Sequence, residues 1–137
     1  MQEARILHIE DDAEYRQEII EILAKRGVHR VVASAESTAE AELRIDQIKH
    51  RVLRVNAVLL DSHVNGSKRL NHPKLIRGEM RARGVLLPIV GLSVGGLAER
   101  NMRVGMDINA DIKKLHLVDD PELLDKILDN LPEPNSR

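Results

Sequence analysis

The chain of 137 residues has no cysteine, no tryptophan and no phenylalanine, and Tyr15 is its sole aromatic residue. Without cysteine there is no disulfide, no thiolate nucleophile and no zinc site with sulfur ligands, a composition that suits a reducing cytoplasm. With one aromatic ring there is no platform on which nucleic-acid bases could stack. A surplus of charge is missing too: 21 Lys and Arg face 22 Asp and Glu. No electrostatic pull toward nucleic acid or a membrane surface follows. Nor is there a long apolar run. The longest, Val85 to Leu92, contains Pro88 and Gly91 and falls far short of the ~20 residues of a membrane span. Ile6-Leu7, cut off by His8, is no secretory signal. The expectation is one cytoplasmic domain with an aliphatic core, closed by a frayed tail over 132–137.

What is present is alternation. Ile6-Leu7-His8-Ile9 reads as a strand ending at Glu10-Asp11-Asp12. Tyr15, Ile19, Ile22 and Leu23 then share one helical face, acidic residues crowd the first turn, and Gly27 is placed to end the helix. Val28 to Ala33 reads as a second strand, and Ser37-Thr38-Ala39-Glu40 as the capping box of a helix reaching Lys49. Asn56 to Leu60 is a third strand, an uncharged run that stops at Asp61. A helix from Pro73 or Lys74 to Arg83, a strand from Leu86 to Leu92, a short helix over Leu97 to Arg103 and a weak strand at Ala110-Asp111-Ile112 follow. The last helix has Asp120 placed as N-cap, Pro121 as its first residue and an apolar stripe of Leu123, Leu124, Ile127, Leu128 and Leu131. Five strands alternating with five helices predict an α/β fold, a doubly wound parallel sheet with helices on both faces.

In the doubly wound strand order 2-1-3-4-5, the flavodoxin-like arrangement, strands one and three are neighbours and ligands bind beyond their carboxyl ends. That order would bring Glu10 and Asp11 beside Asp61. Clustered carboxylates repel one another and hold their protons unless a cation joins them. Hard oxygen ligands in modest number, with room for water, favour Mg²⁺. A carboxylate at such a site is also a recognised phosphoryl acceptor.

With Ser93 after the fourth strand, Lys113 after the fifth and Gly66 in the turn past Asp61, the chain resembles the receiver domains of two-component response regulators (CheY-like) over nearly its whole length. The resemblance implies that residues 1–137 are a single, stand-alone receiver domain with no DNA-binding output domain. It implies that Asp61 is the phosphoacceptor, served by a phosphohistidine on a sensor histidine kinase or phosphotransfer protein. Asp11 and Asp61 would ligate Mg²⁺, Glu10 would act through a bound water, and His63 would offer only its backbone carbonyl. Ser93 and Lys113 would each contact a phosphoryl oxygen. A protein of this kind is a phosphorelay signalling protein, no enzyme beyond catalysing its own phosphorylation and dephosphorylation. Its output would pass to a protein partner through the face of the fourth helix, fifth strand and fifth helix, with no nucleic acid and no membrane involved.

The chain departs from the family pattern at named places. Asn65 stands where Pro is common, Val94 where a small residue is preferred, and Lys114 where Pro follows the lysine. One extra residue after Gly105 leaves Lys113 and Lys114 both in reach of the site, with Lys113 favoured. Ala110 stands where the family carries an aromatic, so the aromatic swing that reports phosphorylation in many relatives cannot occur. One alternative is therefore a divergent pseudo-receiver acting only as an interaction module. A remote one is a serine hydrolase, since Gly91-Leu92-Ser93-Val94-Gly95 fits the nucleophile-elbow pattern, with Asp107 or Asp111 and His116 downstream. It leaves both acidic clusters unexplained. No histidine pair has zinc-site spacing; His8 reads as a satisfied interior or edge histidine, and His63 and His72 could support the acidic site from a loop. Lys68-Arg69 through Arg77, Arg81 and Arg83 reads as a solvated basic face.

Overall fold

The computed structural model describes residues 1–61, 72–93 and 110–134; of residues 72–74, 93, 110, 111, 113, 115 and 118 it describes the backbone alone. The turn residues His63, Asn65 and Gly66, the pair Val94 and Gly95, the helix expected over 97–103, Asp107 and residues 135–137 lie outside the described residues.

Short apolar runs become strands here because both their faces can be buried. β1 (Arg5–Ile9), β2 (Arg30–Ala35), β3 (Ala57–Asp61), β4 (Ile89–Ser93) and β5 (Ala110–Lys113) pair in parallel in the order β2-β1-β3-β4-β5. The expected order is the one found. Every residue of β3 is buried, as a central strand of a parallel sheet covered on both sides requires. Alternate residues feed two cores. Leu7, Ile9, Val58, Leu60 and Ile89 pack against α2 (Thr38–Lys49) and α3 (His72–Ala82) through Ala41, Ile45, Ile76 and Met80. Ile6, Ala57, Leu59, Val90, Leu92 and Ile112 pack against α1 (Ala13–Ala24), α4 (Lys114–Asp119) and α5 (Leu123–Asp129) through Ile19, Leu23, Leu117, Leu124 and Leu128. Burying a side chain of this size stabilises by about 1.5–3 kcal/mol, so these two layers supply the main force holding the sheet in place. Among the described residues no helix is long and apolar enough to cross a membrane.

Helix ends follow local chemistry. Asp12 caps α1, accepting from the backbone N–H groups of Glu14 and Tyr15, and Ser37 caps α2 through the N–H of Glu40. Gly27 follows α1 at φ 71°, a left-handed conformation that glycine adopts without strain.

Three expected boundaries move, each for a physical reason. β2 runs from Arg30, two residues later than expected, with its register to β1 broken between Ile6 and Leu7. His29 is drawn out of the strand instead: its buried ring accepts the Ala4 N–H at Nδ1 (2.9 Å) and donates from Nε2 to Asp129 (2.7 Å). β4 begins at Ile89 and not at Leu86, because Pro88 has no N–H for the ladder and contributes only its carbonyl, to Val58 (3.0 Å). The last helix, expected from Asp120, begins at Leu123 behind Glu122, so Asp120 does not cap it, and a helix that was not expected, α4, precedes it. α4 starts directly after β5, and α5 starts at Leu123 after a turn closed by Leu123 N–H to Asp120 O (3.1 Å). Pro121 cannot continue α4, since it lacks the N–H and its ring would meet the preceding turn. The chain start is bonded to the end of α5 and to one residue of the tail, Glu133. The Met1 ammonium donates to the carbonyls of Asp129 (2.8 Å) and Leu131 (2.7 Å), and Gln2 N–H to Glu133 (2.9 Å).

Candidate functional site

Register alone brings the two acidic clusters together. Ile9 pairs with Leu60 across β1 and β3, so Glu10 and Asp61 leave the sheet side by side at its carboxyl end. Glu10 is fully buried and Asp61 is 4% exposed. Glu10, Asp11 and Asp61 each place one carboxylate oxygen within 4.8 Å of the others. Asp12 takes no part, because its carboxylate is spent capping α1. The Glu10 backbone is pinned on both sides: its N–H donates to Ala35 O (2.8 Å) and its carbonyl accepts from Arg16 (2.7 Å).

A lysine closes the cluster. Lys114 Nζ lies 2.7 Å from Glu10 Oε1 and 3.2 Å from Asp61 Oδ1, and 4.4 Å from the centre of the Tyr15 ring. Among the described side chains the ammonium between the carboxylates is that of Lys114; the side chain of Lys113, the lysine that the expectation favoured, lies outside the description. Lys113 is the last residue of β5, paired with Ser93, and Lys114 the first of α4. Where the strand gives way to the helix, the chain turns and brings this later residue over the pocket.

The charges are unbalanced without a cation. Burial drives the Glu10 carboxyl up to about 8; the Lys114 hydrogen bond opposes the shift and Asp61 adds to it. Burial works against the Lys114 ammonium, but its hydrogen bond to Glu10 and the charge of Asp61 hold its pKa above the ordinary lysine value. The sign for stability follows. The contribution of Glu10 is fully present below its ordinary value of 4.5 and is lost as pH rises toward about 8. In chelator, the urea midpoint is expected to fall as pH is raised across this window, and Glu10→Gln is expected to flatten the decline. A midpoint that climbs over the same range, or a slope indifferent to Glu10→Gln, would contradict this electrostatic account.

Of the other expected site residues, Ser93 ends β4 one step past Leu92, the partner of Asp61, so its backbone stands at the same edge of the sheet. The side chains of Ser93, Lys113 and His72, and all of His63, lie outside the description. His116 is exposed on α4. His8 is interior, as expected, but not satisfied: neither ring nitrogen has a partner among the described residues. Burial, with Lys114 and Arg16 nearby, lowers its pKa to about 3, so it stays neutral. The residue that sequence reasoning missed is Tyr15. It read as one member of an apolar stripe, and its only signal was its place as the lone aromatic, four residues past Asp11 in the first turn of α1.

No family model matches the chain, and no curated protein matches it in sequence. Solved structures do. The phosphorylated cyanobacterial phytochrome response regulator RcpA aligns with TM-score 0.76 at 21% identity, over 97% of this chain and 99% of that one. The non-phosphorylated HemR receiver domain from Leptospira biflexa aligns at 0.64 and 22% identity, over 97% and 99%. A DNA-binding response regulator of the LuxR family from Staphylococcus aureus aligns at 0.67 and 16%, over 93% and 98%. This chain has the fold of the response-regulator receiver domains. At these identities the likeness is one of fold, and the site must speak for the chemistry.

Proposed function

We propose that this protein is a phosphoacceptor of two-component signalling, with Asp61 as the residue modified. The observation that carries the reading is the buried cluster of Glu10, Asp11 and Asp61 closed by Lys114. The donor set is all oxygen and suits Mg²⁺, which Asp11 and Asp61 would hold directly, Glu10 through water and His63 by its carbonyl. Mg²⁺, when bound, supplies charge neutralisation for the incoming phosphoryl oxygens.

The chain's own groups do the rest. A carboxylate oxygen of Asp61 attacks phosphorus while the P–N bond to the donor imidazole breaks, and that electron pair leaves on the imidazole nitrogen. Asp61 becomes an acyl phosphate. Lys114, already 3.2 Å from Asp61, turns its ammonium to a phosphoryl oxygen, and the Ser93 hydroxyl donates to another. Buried surroundings at the end of β3 keep water from competing. The donor would be a phosphohistidine of a sensor kinase or phosphotransfer protein, and the output a protein partner at the face built by β5 and its flanking helices. Ala110 on β5 leaves no ring to swing there, so the signal travels as a population shift of backbone and helices.

Beryllofluoride with Mg²⁺, a mimic of the phosphorylated state, tests this. At a hundred times its dissociation constant it should stabilise the fold by about 2.7 kcal/mol, read as a rise in melting temperature that Mg²⁺ alone does not give. No rise would favour the pseudo-receiver, an interaction module without the chemistry.

A further inference from the structure

We infer that Tyr15 is a positioning residue for Lys114, its ring face seating the ammonium at the mouth of the acidic site; this deepens the phosphoacceptor reading and rests on it for its functional consequence. Lys114 Nζ lies 4.4 Å from the ring centre, inside the ~6 Å reach of a cation–π contact. The two carboxylates hold the ammonium from one side, and the ring meets it from another. Something must fix this lysine. It opens α4 and is followed by Leu115, so no proline stiffens the chain beyond it, and a lysine side chain is a flexible four-carbon stem.

Tyr15 itself is held firmly enough to serve. Its N–H donates to Asp12 Oδ1 (3.2 Å) in the first turn of α1, and its partly buried side chain packs against the core layer shared by α1, α4, α5 and the sheet. The His8 ring stands 6.4 Å away. The hydroxyl oxygen is buried with no hydrogen-bond partner among the described residues, so the contact with the lysine belongs to the ring face. Burial, with Glu10 next in effect, raises the phenol's pKa, and the ring meets Lys114 in its neutral form. When Lys114 shifts from the carboxylates toward a phosphoryl oxygen, its distance from this ring changes. Tyr15 thus occupies, on α1, a place from which the state of the site can be felt, in a chain that has no aromatic on β5.

Two measurements test it. The first is the rate of phosphoryl uptake from acetyl phosphate with Mg²⁺. Tyr15→Leu is expected to slow it roughly tenfold, the scale of a partly desolvated cation–π contact. Tyr15→Phe, which keeps the face, should restore most of the loss, and in a Lys114→Met background Tyr15→Leu should add little. A purely structural role would not give that rescue or that coupling. Equal rates for Tyr15→Leu and the wild type would overturn the inference. The second needs no phosphoryl transfer: in chelator, Lys114→Met should change the absorption and emission of Tyr15, the chain's one fluorophore. Unchanged spectra would overturn the inference. If the wild type takes up no phosphoryl group, the phosphoacceptor reading has failed, and the spectra alone decide whether Tyr15 seats Lys114.

Discussion

Asp61→Asn is expected to abolish Mg²⁺-dependent uptake of a phosphoryl group from acetyl phosphate, down to the background of the assay. An amide lacks the anionic oxygen that attacks phosphorus, and of the other carboxylates at the site Asp11 would be taken up by the Mg²⁺ of the proposed centre. Glu10 is fully buried beneath the lysine, and Asp12 is engaged at the start of α1. The fold should survive the change. Asp61→Asn removes one of three mutually repelling carboxylates while Lys114 keeps its 2.7 Å contact with Glu10. In chelator the melting temperature should therefore stay level or rise. Loss of uptake together with loss of fold would point to a structural role for Asp61; uptake that persists would place the acceptor elsewhere.

Lys114→Met should act on both chemistry and stability. Removing a preorganised cation from a site where phosphoryl charge develops slows such reactions by about 10²–10³-fold. Stability should fall as well, since Glu10 and Asp61 lose the cation that lies within 3.2 Å of both. Breaking a buried pair from one side costs about 3–5 kcal/mol, and the lower figure is expected because Glu10 can take up a proton, its pKa already raised to about 8. Mg²⁺ should restore part of that stability. Lys113→Met should have a far smaller effect on rate and melting. Reversed effects for the two lysines, in transfer assays and urea titrations, would mean that the pocket is served from β5 itself.

The two residues also show where sequence reading reaches its limit. The strands were legible because residues 6–9 of β1 and 57–60 of β3 are mainly aliphatic runs buried on both faces, and Asp61 was legible as the charge that ends one of them. Their adjacency was not in the alternation of elements, which fits several strand orders; it followed from the doubly wound order 2-1-3-4-5, and the sheet has that order. The choice between Lys113 and Lys114 depended on where β5 gives way to α4. The extra residue after Gly105 left that choice open, and nothing in the sequence pattern marked Lys114–Asp119 as a helix. β2 was placed two residues early for a similar reason. Val28 looks like a strand residue, but His29 is recruited to bind Ala4 and Asp129 across the sheet edge. Tyr15 was visible only as a core position, since its contact with Lys114 is made by residues far apart in the chain.

The most direct test is to locate the modification itself. The wild-type protein is incubated with acetyl phosphate and Mg²⁺, the acyl phosphate is trapped by borohydride reduction, and the reduced residue is mapped by peptide mass spectrometry. The account predicts one modified residue, Asp61, found with Mg²⁺ and absent with chelator. A chain that remains unmodified, or an adduct at any other residue, would contradict it.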